Sequence, residues 1–382
     1  VFQAYLDENV FGEKGKQVPN AGLQLSFVGT LGLCFEHSMA PLSEVIRSTR
    51  GAKTVLFVGT ILIFGGLTVA SFAKEIWHLY LSQSILFGTG TSFLFSTIQT
   101  VIPHYFPRNP GLVLGGIASG ASVGSLLIPL LATMINDKLG IQWTYRILGC
   151  ANLIIDILAC MIIKDHSHNT NIRSEEKSSK STMIRLDVFK NKNYCIWCLS
   201  AFIQVAAYFI PLFIIPSYAA YTGLSDSKGA SLVSIISAAA FVGRISAGFI
   251  ADRIGPVNIS IIFTSIAGLS CLVIWPFSFT YSTLIGFAVV FGLTSGAYYS
   301  LGSPIAASIL KTEQFSSGVT ITLLIVGISV FGPSLASAID TAGVSDEPYF
   351  TFKMFTGTVT IISAVITIWL KFSMKHSILA KV

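Results

Sequence analysis

The ionisable side chains that interrupt the long apolar segments of this chain are its first candidates for chemistry. Arg244 stands inside one such segment, and Glu36 and His37 stand side by side in another. An arginine is costly there unless it faces a cavity, a partner or the interface, so Arg244 is a candidate for solute or gating contact; the alternative is that it reaches to the surface. Glu36 could hold a proton and His37 could relay it, with structural hydrogen bonding as the alternative.

A thirteen-residue motif around Arg244 combines small and charged residues, reading G-R-I-S-A-G-F-I-A-D-R-I-G. Gly243 and Gly248 would let two helices approach closely, and Gly255 would end the first helix. Asp252 and Arg253 suit a short connection at a membrane surface, where charges can be hydrated. The motif favours a conformational hinge; the alternative is a polar hairpin between two helices.

The composition is typical of an integral membrane protein. Hydrophobic residues make up 52% and charged residues 11%, with a mean hydropathy of +0.72, whereas a soluble domain has about 25% charged residues. The net charge of +6 reflects an uneven distribution of Lys and Arg between the loops on the two sides of the membrane, rather than a nucleic-acid-binding patch. Phosphate-binding loops, paired carboxylate motifs and clustered histidines are lacking, which argues against an enzyme. We predict no cofactor and no metal site.

The apolar segments predict an all-α membrane protein with about ten full spans and a stub of a first helix at Val1–Tyr5. Because the chain opens inside an apolar pattern, we expect that the first helix is truncated. The first complete span is predicted at 21–45. The distribution of Lys and Arg places the linker and the tail on the cytoplasmic side. The predicted divisions are an N-terminal helical bundle (1–163), a cytoplasmic linker (164–193), a C-terminal helical bundle (194–376) and a cytoplasmic tail (377–382).

Two further patterns concern helix packing. Gly116, Gly120 and Gly124 recur every fourth residue and predict one helix face that packs closely against another helix. The segment that contains Glu44 echoes the motif that contains Asp252, as two related halves would.

The motif, together with Val1–Tyr5, Phe87–Gly90 and Gly115–Gly124, resembles the fungal branch of the monocarboxylate porter family within the major facilitator superfamily. The resemblance implies a major facilitator fold of two six-helix bundles around a central cavity. It also implies transport of a small organic solute, such as a monocarboxylate, by alternating access. The plasma membrane is the location implied, with the vacuolar membrane as the alternative. The bilayer is the surrounding partner, and the oligomeric state stays open.

By the same resemblance, the fourth, seventh and tenth helices surround the cavity. Their polar and aromatic residues are candidates for binding solute, namely Gln99, Gln204, Tyr208, Tyr298 and Tyr299. Proton-coupled members have an Asp four residues before the arginine, where this chain has Ala240. Facilitated diffusion or a different coupling group is therefore expected. The alternatives are a riboflavin-type facilitator of a neutral planar solute, a transporter-like receptor and an inactive truncated product.

Overall fold

The computed structural model describes residues 5–6, 10–11, 18–162, 184–341 and 347–374, and over these ranges it is helical without strands. This confirms the all-α prediction. The described segments that depart from α-helical geometry include the π-helices Tyr80–Phe87 and Ser270–Ile274 and the 3₁₀-helices Leu186–Lys190 and Trp275–Phe277. The principal α-helices are α1 Ala21–Ser38, α2 Ala40–Arg50, α3 Ala52–Ala70, α4 Ile76–Leu79, α5 Gly88–Tyr105, α6 Pro110–Leu139, α7 Ile141–Ile162, α8 Lys192–Tyr221, α9 Asp226–Ile254, α10 Pro256–Leu269, α11 Tyr281–Ser295, α12 Ala297–Ile309, α13 Thr312–Ser329, α14 Gly332–Thr341 and α15 Phe350–Met374.

Within the described ranges, ten continuous helical segments are long and apolar enough to cross a membrane. Several of these segments contain more than one of the helices named above. In Ile76–Pro103, for example, the π-helix Tyr80–Phe87 continues α4 directly into α5. The ten segments comprise Ala52–Ala70, Ile76–Pro103, Pro110–Leu139, Ile141–Ile162, Lys192–Tyr221, Asp226–Ile254, Pro256–Phe277, Tyr281–Ile309, Thr312–Thr341 and Phe350–Met374.

The first predicted span, 21–45, is divided in the structure. The helix α1 ends at Ser38, Met39 adopts a non-helical conformation, and α2 begins at Ala40 with Pro41 in its first turn. Proline is tolerated in a first turn because the amide that it removes would have no partner inside the helix. The helix α1 falls outside the ten segments because Glu36 and His37 lower its hydropathy.

The chain forms two compact units. Unit 1 consists of Val1–Val101 and Ile128–Leu186, and unit 2 of Ile102–Leu127 and Asp187–Val382. The predicted bundle boundaries stay predictions. Most of the predicted linker and all of the predicted tail, 377–382, lie outside the described residues.

Unit 1 has an apolar core beside the π-helix Tyr80–Phe87. Leu25 and Val28 of α1 pack there with Leu79 and Tyr145. The π-helix is fixed to α1 through backbone acceptors: the Ser84 hydroxyl donates to the Val28 carbonyl at 2.7 Å. Hydroxyl-to-carbonyl bonds of this kind satisfy polar groups that lipid cannot.

Unit 2 is held by aromatic stacking and by close contact between backbones. The rings of Trp275 and Phe287 stack with centroids 5.0 Å apart, and Phe287 stacks on Phe291 at 5.5 Å. The helices α9 and α11 touch where Gly243 lies against the backbone of Leu293. Only glycine leaves room for backbones to meet in this way.

The two segments that the sequence relates share one backbone feature. Gly51 and Gly255 both have positive φ, 87° and 103°, and each directly precedes a helix. The correspondence of Glu44 with Asp252 stays a prediction. Glu44 forms an ion pair of 2.8 Å with Arg47 on its own helix.

Candidate functional site

The candidate site in unit 2 is built around Arg244, which lies near the middle of α9 and is 7% exposed. Its Nη1 donates to the carbonyl oxygen of Ala118 on α6 at 2.6 Å. Its Nη2 donates to the hydroxyl of Tyr208 on α8 at 3.0 Å. The guanidinium therefore extends towards neighbouring helices and does not run along α9 to the membrane surface.

The charge of Arg244 is only partly compensated. Among the described residues, no carboxylate lies within the 4.0 Å of an ion pair with Arg244. Its Nε is buried and has no hydrogen-bond partner there. An arginine at the centre of a span costs about 2.5–3.5 kcal/mol on insertion scales. A buried cation without a counter-ion, with one donor still unused, favours an anionic ligand.

Aromatic rings form a wall beside this guanidinium. The Arg244 guanidinium lies 5.2 Å from the ring centroid of Tyr299, within the range of a cation–π interaction. The Tyr299 ring contacts the rings of Tyr208 at 5.3 Å and Tyr298 at 5.4 Å, both edge to face. Tyr298 in turn stacks on Trp197 with centroids 6.1 Å apart. Such a wall could pack against a planar solute.

Two glycines position Arg244 by leaving space for its neighbours. A side chain at Gly115 on α6 would collide with the carbonyl oxygen of Arg244. A side chain at Gly296, between α11 and α12, would come within 2.9 Å of the Arg244 Nε. The Ser300 hydroxyl also donates to the Arg244 carbonyl, at 3.2 Å. The arginine is therefore held by α6 and α12 as well as by its own helix.

The remaining predicted solute-binding residues do not all join this cluster. Gln204, one helical turn before Tyr208, donates to the Thr264 hydroxyl at 2.9 Å, and its buried Oε1 has no hydrogen-bond partner among the described residues. Gln99 is buried in unit 1. The structure thus brings Arg244, Tyr208, Tyr299 and Tyr298 together in unit 2, with Gln204 as a neighbour along α8.

Glu36 and His37, which were predicted to handle protons together, lie on different faces of α1. Glu36 lines a cavity of about 230 Å³ in unit 1. His37 does not line it: its Nδ1 lies 2.9 Å from the Leu33 carbonyl, and its ring meets Phe95 edge to face. Neighbouring residues in a helix point about 100° apart, which explains the separation.

The motif at the end of α9 caps another helix of the same unit. Asp252 accepts hydrogen bonds from the amides of Gly111 and Leu112, each at 2.8 Å. Pro110 opens α6 and has no amide hydrogen, so Asp252 satisfies the next two donors of that helix. The carboxylate also faces the positive end of the helix dipole. Gly248 makes this contact possible because it lies directly against Gly111.

The other motif residues have separate local functions. Gly255 ends α9 with a positive φ of 103°, a conformation that side chains disfavour. Arg253 lies over the Phe249 ring at 4.1 Å. Gly243 contacts α11, as described above. The motif therefore links α9 to two other helices and ends α9 sharply.

The close helix contact predicted for Gly116 and Gly120 is made instead by other glycines of α6. Among the described residues, no atom lies within 4 Å of a side chain placed at Gly116 or Gly120, whereas Gly111 and Gly115 contact α9 directly. The sequence shows several glycines in this helix, and their spacing alone does not tell which face meets a partner. The Ala118 carbonyl was also missed, because backbone acceptors leave no signal in residue type.

Replacing Asp252 with asparagine should destabilise the protein by about 1 kcal/mol, since one charged cap and its dipole interaction are lost. The unfolding free energy in detergent micelles measures this effect. Asp226→Asn is the matched control, because Asp226 is exposed at the other end of the same helix; its effect should stay within about 0.5 kcal/mol. Equal effects at the two positions would contradict the capping role.

These features define an integral multi-pass membrane protein of the helical transporter class. The family model of the Major Facilitator Superfamily matches residues 18–333. The chain therefore belongs to the Major Facilitator Superfamily, and it is a membrane transporter rather than an enzyme.

The curated relatives are fungal transporters. The agnestins efflux protein AgnL12 of Paecilomyces divaricatus is 26% identical over 382 residues, which is 100% of this chain and 84% of the relative. The MFS-type transporter opdF of Penicillium oxalicum is 28% identical over 344 residues, covering 89% of this chain and 79% of opdF. The fujikurins efflux protein of Gibberella fujikuroi is 26% identical over 348 residues, covering 90% of this chain and 72% of that protein.

Solved structures support the fold. The proton:xylose symporter XylE gives a TM-score of 0.77 at 13% identity, covering 96% of this chain and 90% of XylE. The fucose transporter FucP gives a TM-score of 0.66 at 14% identity, with 90% of each chain covered. At these identities the likeness shows the major facilitator fold alone. The comparisons support fungal transporters as relatives without confirming the monocarboxylate porter subfamily.

Proposed function

We propose that the protein exports a small organic acid with a planar apolar body by alternating access. The observation that carries this proposal is the buried guanidinium of Arg244, which has an unused donor and no carboxylate partner in the described chain. A carboxylate or an acidic hydroxyl on the solute would supply the missing charge. The tyrosines beside it would pack against the planar part.

Export is the direction that the relatives favour. AgnL12 and the Gibberella fujikuroi relative are named as efflux proteins. A monocarboxylate is the simplest solute that satisfies the site. A neutral planar solute of the riboflavin type would use the tyrosines but would leave the charge of Arg244 unpaired, so we favour the acid.

The proposed hinge is the contact between Asp252 and the first turn of α6. A capped helix end forms or breaks as a unit, since both amides bind the same carboxylate. Breaking it exposes two backbone donors and one carboxylate, all of which water can satisfy at the membrane surface. The contact could therefore open and close at moderate cost during the transport cycle.

Protons are the coupling ion that we propose, with Glu36 as the group that accepts them. XylE and FucP are named as proton symporters. Symport with an inward proton gradient drives uptake, so the proposed export requires exchange, in which a proton enters as the acid leaves. The position that carries the acid in proton-coupled monocarboxylate porters is Ala240 here, so another carboxyl group must serve. Glu36 borders a cavity, as a group that exchanges protons must.

Export of matched acids and amides from cells expressing the full-length gene tests the proposal. Cells loaded with labelled benzoate or naphthoate should lose the label to the medium at least about tenfold faster than cells loaded with benzamide or naphthamide. A protonophore should abolish the difference. Cells without the gene provide the background rate.

Three results would contradict parts of this account. Equal export of acids and amides would contradict the role of the solute's charge. Acid export that continues in the presence of the protonophore would contradict the proposal that protons are the coupling ion. Accumulation of the label in the vacuole, in place of its release, would contradict the plasma membrane as the location.

A further inference from the structure

A cavity in unit 1 is separate from the Arg244 cluster and is larger than a proton site requires. Its volume is about 230 Å³, whereas one water needs about 10–15 Å³ measured in this way. It is somewhat smaller than the about 300–1,000 Å³ of drug-sized ligand sites, so its ligand would be small. Its lining residues are Leu6, Leu25, Val28, Gly29, Gly32, Leu33, Glu36, Gln83, Phe87 and Thr91.

The cavity arises from the local geometry of its two walls. One wall is a single face of α1, on which Gly29 and Gly32 leave out side chains. A side chain at Gly29 would meet no atom of the described residues within 4 Å, so the described walls leave space in front of it. The facing wall begins in the π-helix Tyr80–Phe87, and such segments often occur at functional sites.

Among the described residues that line the cavity, Glu36 is the one ionisable group. Within the described part of the chain, its carboxylate has no hydrogen bond and no ion pair. The Thr91 hydroxyl already donates to the Gly88 carbonyl at 2.9 Å. The other walls are apolar apart from the Gln83 amide. The cavity therefore presents one carboxylate at the edge of an apolar space.

We propose that this cavity binds a small organic ammonium ion. The ammonium group would pair with the Glu36 carboxylate, a charge-assisted contact that an apolar surrounding strengthens. The hydrocarbon part would lie against Leu25, Val28 and Leu33, and the Phe87 ring offers a further surface that favours cations. A neutral alcohol of the same shape would lack the ion pair and would bind weakly.

This site goes beyond the proposed function, in which Glu36 only accepts a proton. An ammonium ion and a proton compete for the Glu36 carboxylate. The bound ligand would therefore reduce the proton coupling of transport without contacting the Arg244 cluster. Binding in unit 1 does not depend on whether the solute is an acid. Failure of one proposal therefore leaves the other standing.

Benzylamine binding to the purified full chain tests the site, with benzyl alcohol as the neutral isostere. Benzylamine should raise the unfolding midpoint of the wild type in a concentration-dependent way, and benzyl alcohol should not. Glu36→Gln should weaken benzylamine binding about 30-fold or more. Asp156→Asn is the matched control, because Asp156 is a carboxyl group within a span of the same unit that does not line the cavity.

Two further variants keep the test decisive if Glu36→Gln folds poorly. Gly29→Leu should fill the cavity and abolish benzylamine binding while the carboxylate remains. Arg244→Gln should leave benzylamine binding within about twofold of the wild type. The proposal is overturned if the wild type shows no response to benzylamine, if benzyl alcohol binds equally, or if Gly29→Leu still binds benzylamine.

Discussion

Arg244→Gln is expected to reduce the export of acidic solutes by about 100-fold, the equivalent of about 3 kcal/mol. The substitution removes the buried charge that the proposed acid group would neutralise, while a shorter amide can still donate a hydrogen bond. Arg244→Lys should lose about tenfold, because it keeps the charge but not the fork of donors that meets both Ala118 and Tyr208. The readout is the initial rate of acid export at equal protein abundance.

Arg146→Gln is the control for this series. Arg146 is also a cation near aromatic rings, with Phe72 at 4.7 Å and Trp143 at 5.1 Å, but it lies in unit 1 and outside the proposed machinery. Its replacement should leave acid export within about threefold of the wild type. If the Arg244→Gln variant exports acid at the wild-type rate, the proposed role of Arg244 is refuted. An equal loss in the two variants would show a general effect of removing cations from spans.

Gly243→Val is expected to destabilise unit 2 by about 3 kcal/mol or more, at the upper end of overpacking effects. A side chain at Gly243 would collide with the backbone oxygen and carbon of Leu293. A backbone cannot rotate away as a side chain can, so α9 and α11 would have to separate along the adjoining aromatic stack. The yield of monodisperse protein and its unfolding midpoint measure the effect.

Gly116→Val provides the comparison, because a side chain at Gly116 meets no atom within 4 Å. It should change the free energy of unfolding by less than about 1 kcal/mol, because the new side chain displaces no neighbour and valine has a somewhat higher helix propensity than glycine. Leu293→Ala should not rescue Gly243→Val, since the collision is with backbone atoms. Rescue by Leu293→Ala would mean that the leucine side chain, and not the backbone, sets the helix separation.

The spans were predictable because about 20 consecutive apolar residues leave a helix as the main structure compatible with lipid. The division of 21–45 at Met39 was not predictable in the same way. Pro41 suits both a kink within one helix and the first turn of a new one, and the sequence does not decide between them.

Helix faces proved harder to predict than helix positions. The spacing of Gly116, Gly120 and Gly124 gave a smooth face, but the neighbouring pair Gly111 and Gly115 makes the contact. Both sets have the same period, so only the tertiary partner distinguishes them. The side chains of Glu36 and His37 point in different directions because adjacent residues in a helix lie about 100° apart; their shared role in proton handling stays a prediction.

Side-chain candidates could be named from the sequence, whereas backbone contacts could not. Arg244 was predicted from its charge within an apolar segment and Tyr208 and Tyr299 from the family resemblance; the structure brings the three into contact, and their role in binding solute stays a prediction. The Ala118 carbonyl and the amides of Gly111 and Leu112 carry no information in residue type, so no pattern could reveal them. The π-helix that opens the Glu36 cavity likewise depends on packing rather than on local sequence.

The most direct test of the central claim is a structure of the full chain bound to the acid that the export panel selects. The account predicts density for the acid group within about 3 Å of the Arg244 guanidinium, at charge-assisted hydrogen-bond distance. It also predicts that the planar part lies along Tyr208 and Tyr299. The account is contradicted if the acid binds with its charged group away from Arg244. It is also contradicted if a carboxylate of the protein forms an ion pair with the Arg244 guanidinium.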